Sequence, residues 1–266
     1  FPYTTLFRSI MNKYHAYAGT ISSQYNHYLE WKDAYPFAKD KIQGLEDNGQ
    51  NLFIQGLLEK NNLLDVMRNF LLFETDNGIT IKKISRYQQF RAVNKAISRL
   101  NGGKDSLSRG GVIWHTQGSG KSLTMVMLAR KIKRTKELSD ATIVVVTDRI
   151  DLDKQIFNTF IRTLSKITTP ERAGKISVMK KLLADAQPKI IMTTIQKFES
   201  EIEEREVIEN GNKVKKQFSL PYHVLTVKSN VIVLTDEAHR SQYKDTASNM
   251  RRSEERRVGK ECSQGV

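Results

Sequence analysis

Residues 111–133 read GVIWHTQGSGKSLTMVMLARKIK: an apolar run, a glycine-rich turn, then a stretch with helical periodicity. Gly118, Ser119 and Gly120 let a polyanion approach the main chain, because glycine has no Cβ to stand in its way. Lys121 puts an ammonium beside that turn, and Ser122 a hydroxyl able to bind Mg²⁺. The helix that follows points its positive N-terminal end at the same place. Strand, glycine loop and helix in that order are the context a phosphate cradle requires. His115 holds the first loop position, where glycine is usual. The amides around GSGK make most of the phosphate contact, so the cradle survives the departure. The bland alternative is a Gly/Ser turn with an incidental GKS.

A nucleotide hydrolase also needs a carboxylate at the end of a buried strand to hold Mg²⁺ and a base for the attacking water. VIVLTDEAH at 231–239 offers both: Asp236 as the metal partner and Glu237 as the general base. The alternative is a solvated acidic turn. His15, His27, His223 and His239 have no metal-ligand spacing.

Four apolar runs, at 111–114, 142–147, 190–194 and 231–236, predict strands buried on both faces. Helical stretches at 123–134 and 152–164 lie between them, so the expectation is an α/β fold with a parallel sheet covered by helices on both faces. Upstream, 10–37 reads as strand and turn material and 39–51 as a linker. The spacing predicts one helix over 53–73, with Ile54, Leu57, Leu58, Leu64, Met67 and Leu71 as its stripe, and another over 87–100 with Phe90, Val93, Ile97 and Leu100. Asn210-Gly211 suits either a hairpin turn or a solvated loop.

The two ends need separate treatment. Back-translated as TTT CCC TAC ACG ACG CTC TTC CGA TCT, residues 1–9 have a reverse complement that reads RSEERRVGK, residues 252–260. The pair resembles a sequencing adapter read in frame, so 1–9 and 252–266 are set aside and the remainder is expected to be an internal piece of a longer protein. Arg8 and the tail each carry one net positive charge, so +12 of the +14 remain. That surplus points to a polyanionic partner or, more plainly, to a soluble basic surface. The only cysteine, Cys262, lies in the tail, which leaves no disulfide framework. No apolar run reaches the ~18 residues of a membrane span.

GSGKS followed by DEAH resembles the superfamily 2 helicase motors. WHTQGSGKSLTMVMLARK, VVVTDRIDLDKQI, IIMTTIQKF and TDEAHRSQY, with LLEKNNLLDVMRNFLLFE ahead of them, look like the motor (R) subunit of type I restriction enzymes. In that family His115 is no anomaly. The resemblance implies a RecA-like P-loop domain, truncated, at 101–251. A remnant of a nuclease domain and a linker at 10–51 and a helical connector at 52–100 would precede it. It implies ATP and Mg²⁺ as cofactors, translocation on double-stranded DNA, methylation and specificity subunits as partners, and a bacterial or archaeal cytoplasm. By the same resemblance Gln88, in Arg86-Tyr87-Gln88, bonds the adenine edge. Arg149, after Thr147 and Asp148, and Thr193, Thr194 and Gln196 face the DNA backbone. A structural ion pair at Arg149, and a strand end capped by the Thr193 and Thr194 hydroxyls, are the competing readings.

Two departures limit the expectation. Glu30-Trp31-Lys32 has half of the nuclease spelling, but no Asp or Glu lies between residues 10 and 29 to complete it, so the nuclease centre is expected upstream. The second motor domain, with the arginine that completes the ATP site, is expected downstream. Such an arginine contributes a factor of ~10³ or more, so this chain alone is expected to turn ATP over negligibly. The remaining alternatives are a superfamily 2 motor of another restriction or repair system, and a non-catalytic nucleic-acid-binding protein with a vestigial loop. The second requires a broken cradle, whereas Lys121, Ser122, Asp236 and Glu237 are all intact.

Overall fold

In the computed structural model, which describes residues 7–37, 48–76, 78–116, 118–147, 150–164, 167–198, 202–209, 212–219, 226 and 228–236, the aromatic text at the amino end folds as three antiparallel strands. These are β1 (Arg8–Met11), β2 (Ala16–Gly19) and β3 (Leu29–Glu30), in spatial order 1-2-3. β1 begins inside the adapter-like stretch.

The chain divides into two units, Phe1–Ser139 with Asn158–Ile167, and Asp140–Phe157 with Thr168–Val266. In the first, residues 53–73 are not one helix. α1 (Gly49–Gly56) stops, α2 (Lys60–Asp65) restarts, a π-helical turn spans Val66–Phe70, and the chain then becomes β4 (Leu71–Asp76), paired antiparallel with β5 (Ile79–Ile84). The break has a local cause. The Glu59 carboxylate accepts from the backbone of Asn61 and Asn62, capping a new helix, while the Asn62 amide donates to the Gly56 carbonyl at 2.7 Å and closes the old one. The buried face accordingly differs from the expected stripe. Phe53, Leu57, Val66, Phe70 and Leu71 are buried, while Ile54 and Leu64 are 44% and 56% exposed.

α3 (Tyr87–Gly102) is the expected second helix, buried at Phe90, Val93 and Ile97. Phe90 meets Phe70, Trp31 and Tyr35 at ring-centroid distances of 4.9, 5.7 and 6.4 Å, so one aromatic cluster joins the amino-terminal strands, the π turn and α3. A short turn, α4 (Ser106–Arg109), interrupts the expected loop, and α5 (Lys121–Arg134) buries Val126, Met127, Ala129 and Ile132.

Residues 111–114 form no strand, against expectation; Val112 and Trp114 are 85% and 84% exposed. An apolar run states a preference for burial, but a strand exists only through a paired backbone. Among the described residues none pairs with this run, and Gly110 ahead of it and Gly111 at its start raise the entropic cost of extension.

The second unit holds β6 (Thr142–Thr147), α6 (Ile150–Leu164, which runs on into the first unit), β7 (Glu171–Arg172), α7 (Ile176–Ala184), β8 (Ile190–Thr194), the pair β9 (Ile202–Glu209) and β10 (Asn212–Ser219), and β11 (Val231–Thr235). Four of these make a wholly parallel sheet in the order β11-β6-β8-β7. Val144, Val146 and Ile191 pack on Met179 and Leu183 of α7. β6 and β8 are buried at every position, and since alternate side chains point to opposite faces, both faces of the sheet's centre are covered. This is the RecA-like α/β layout expected. β9 and β10 run antiparallel with Glu209 opposite Asn212; Asn210-Gly211, the expected turn, lies outside the described residues.

Candidate nucleotide site

Gly118 and Gly120 have φ of +75° and +88°, the left-handed region that an L side chain enters only with strain. They serve differently. A Cβ on Gly118 would meet nothing within 4 Å, whereas one on Gly120 would stand 2.8 Å from the Gln89 amide nitrogen. Between them the Ser119 amide and hydroxyl both donate to the Thr116 carbonyl, at 3.2 and 2.6 Å, which tightens the turn.

Gly120 is the N-cap of α5, and its carbonyl accepts three hydrogen bonds: from the Thr124 amide at 3.0 Å, the Thr124 hydroxyl at 3.2 Å and the Gln89 amide at 3.1 Å. In a trans peptide the C=O of one residue and the N–H of the next point in opposite directions. Fixing the Gly120 carbonyl back along the helix therefore aims the Lys121 N–H outward from its end. Gly120 offers no side chain to cap that end, and the first turn holds no acid. An uncapped helix N-terminus with Lys121 and Ser122 in its first turn suits a phosphate group.

Gln89, which the sequence argument passed over, is the glutamine that reaches the loop; it is 3% exposed, while Gln88 is exposed to solvent. The helical period carried the signal. Gln89 lies four residues before Val93 and eight before Ile97, on the buried stripe, and Gln88 lies off it. The second unforeseen feature is His115, whose Nε2 is buried without a hydrogen-bond partner among the described residues. Burial, with the Lys121 charge adding to it, holds its pKa below the ordinary imidazole value and so favours the neutral ring.

In the sheet unit the other motif residues stand level. Thr147 pairs with Thr194, Val146 with Thr235, and the Asp236 amide donates to the Val146 carbonyl at 2.9 Å. Because the strands are parallel, Thr147, Thr194 and Asp236 share one row at the carboxyl edge of the sheet, where α/β folds hold their ligands. Thr193, one place earlier, is 1% exposed and donates its hydroxyl to the Ala173 carbonyl at 3.2 Å, so it is bonded to the segment after β7 and not turned to solvent. Gln196 is half-buried in the turn Ile195–Phe198. Glu237, Asp148 and Arg149 lie outside the described residues.

Glu30 accepts from Lys32 at 2.6 Å and His15 at 2.8 Å, and these bonds hold its carboxyl below the usual range. Among the described residues no group of three or more His, Cys, Asp or Glu could hold a metal ion, and no helix is long and apolar enough to cross a membrane.

The SWI2/SNF2 ATPase family matches residues 88–256, well over half the chain and spanning both the loop and the sheet. The chain belongs to that family. Among curated relatives, the type I restriction enzyme HindI endonuclease subunit of Haemophilus influenzae is 38% identical over 230 residues, 85% of this chain and 20% of that protein. The putative MjaIXP endonuclease subunit of Methanocaldococcus jannaschii is 34% identical over 226 residues, 83% and 20% respectively. A C-terminal part of a putative Mycoplasma pneumoniae subunit, MpnIIP, is 28% identical over 222 residues and is 95% covered. The resemblance to type I restriction subunits is thus borne out, and this SWI2/SNF2 ATPase chain spans about a fifth of the length of the first two relatives.

Proposed function

We propose that this chain is the first motor segment of a type I restriction endonuclease subunit, which moves along double-stranded DNA by hydrolysing ATP. The observation that carries the reading is Gly120, whose triply bonded carbonyl leaves an uncapped, acid-free helix end beside Lys121 and Ser122. These residues fit a magnesium nucleotide, which when bound supplies the phosphoanhydride bond and a cation to draw off its charge. The Gly118, Gly120 and Lys121 amides would hold phosphate oxygens, the Ser119 amide being turned to the Thr116 carbonyl, and the Lys121 ammonium would offset the charge of the terminal phosphates. By the family resemblance, the Ser122 hydroxyl and the Asp236 carboxylate would each serve as a magnesium partner, and Glu237 would accept the proton of the attacking water. Thr194, with Gln196 and Arg149 in the segments that follow β8 and β6, supplies sequence-blind contacts to DNA phosphates. Thr193, whose hydroxyl donates to the Ala173 carbonyl, is left out of those contacts. Methylation and specificity subunits supply recognition of the DNA site.

The test is DNA-stimulated ATPase in the full-length subunit. Lys121→Ala and Glu237→Gln are each expected to abolish it while circular dichroism stays unchanged. Full activity in either variant overturns the site assignment.

A further inference from the structure

The phosphate loop is held by α3, and α3 is held in turn by the amino-terminal segment 31–35. The Gln89 amide uses both ends: its oxygen accepts from the Arg86 amide at 2.9 Å and its nitrogen donates to the Gly120 carbonyl at 3.1 Å. The side chain thus has no slack, and the loop contact depends on how α3 is rotated about its axis. Two residues on, Arg91 lies about 200° around the helix, on the opposite flank. There its guanidinium donates to the Asp33 carboxylate at 2.8 Å.

Asp33 is itself fixed. It is 7% exposed, its other carboxylate oxygen accepts from the Tyr35 amide at 3.1 Å, and its carbonyl accepts from the Trp31 indole at 2.7 Å. Gly56 permits this seat, since a Cβ there would come within 2.3 Å of the Asp33 carbonyl oxygen. Phe90, between the two polar contacts, packs on Trp31 and Tyr35 of the same segment.

We infer that Asp33 and Arg91 are positioning residues for the nucleotide loop, their ion pair setting the rotation of α3 at which Gln89 reaches Gly120. The lever arm gives the sensitivity. With side-chain tips about 5–6 Å from the helix axis, a roll of about 10° moves them by about 1 Å. A contact already at 3.1 Å then exceeds hydrogen-bonding distance. The amino-terminal module therefore helps aim the Lys121 amide without touching nucleotide. The inference rests on the loop's being a nucleotide site.

The experiment is steady-state ATPase of the full-length subunit with DNA, on Asp33→Asn, Gln89→Ala, the double variant, and Lys121→Ala as reference. Asp33→Asn and Gln89→Ala should each raise KM for ATP about fivefold, the worth of one hydrogen bond, with kcat within twofold. The double variant should be no worse than Gln89→Ala alone, because both act on one contact. Arg91→Lys, which keeps the charge, should restore part of the affinity lost in Arg91→Gln. A wild-type KM in Asp33→Asn, a melting temperature that falls with no change in KM, or effects that multiply in the double variant would each overturn the inference. Should Asp33→Asn fail to fold, Arg91→Gln, on a half-exposed side chain, carries the same comparison. Full activity in Lys121→Ala would instead remove the nucleotide reading itself.

Discussion

Gly118 and Gly120 share a left-handed backbone but not their surroundings, and that difference can be measured. Alanine at Gly118 meets open space, so its cost is backbone strain alone, about 1–2 kcal/mol. At Gly120 the same strain applies, and the new methyl also displaces the Gln89 amide, 2.8 Å away. That side chain then loses its bond to the Gly120 carbonyl and is left buried, at roughly 1–2 kcal/mol more. Gly120→Ala should therefore destabilise by about 3 kcal/mol and Gly118→Ala by about half that. In a Gln89→Ala background the excess at Gly120 should vanish. Urea unfolding followed by tryptophan fluorescence suits the question, because Trp31 is buried in the same unit as the loop and Trp114 is already exposed. Equal costs at the two glycines, or an excess that persists without Gln89, would refute the assigned contact and with it the aiming of α5.

Gly56→Ala places a methyl 2.3 Å from the Asp33 carbonyl oxygen, a backbone atom that cannot swing aside, and should cost about 3 kcal/mol or more in the same assay. Glu74 is a test of acid stability. Burial would raise its pKa, but Lys83 and Arg162 outweigh it and the value lies below the ordinary one. The pairing therefore stabilises fully above the unfolded value of about 4.3 and is lost as pH falls through the lowered value. Glu74→Gln should flatten the stability profile below about pH 5, read from urea midpoints at each pH. DNA affinity of the full-length subunit should fall linearly on a log–log plot against salt; a salt-independent affinity in filter binding would contradict backbone tracking.

Much of this was legible from local chemistry. The helix over 87–102 and the strands at 142–147 and 190–194 follow from periodicity and from runs too apolar to lie on a surface, while 231–235 is a strand as expected but half-exposed and not buried on both faces. What was missed depended on partners that a linear pattern does not contain. The break after Gly56 comes from the Glu59 and Asn62 side chains finding backbone nearby, an event that propensity does not report. GVIW had strand composition but no pairing neighbour among the described residues. The left-handed turn at Gly118 and Gly120 was legible from residue type alone. Gln89 went unread beside Gln88, although the helix face of Phe90 and Val93 separates the two glutamines.

The parallel sheet has unlike margins. At one side β7 contributes only two residues, too little backbone to recruit a stranger, whereas β11 runs for five and, among the described residues, pairs on one side alone. Among the described residues the outer side of Val231–Thr235 has no strand beside it, and an open strand margin is a template for strand addition. A charged residue at an outward position of Val231–Thr235 would guard that margin, so the stickiness of this sheet becomes a question about one strand.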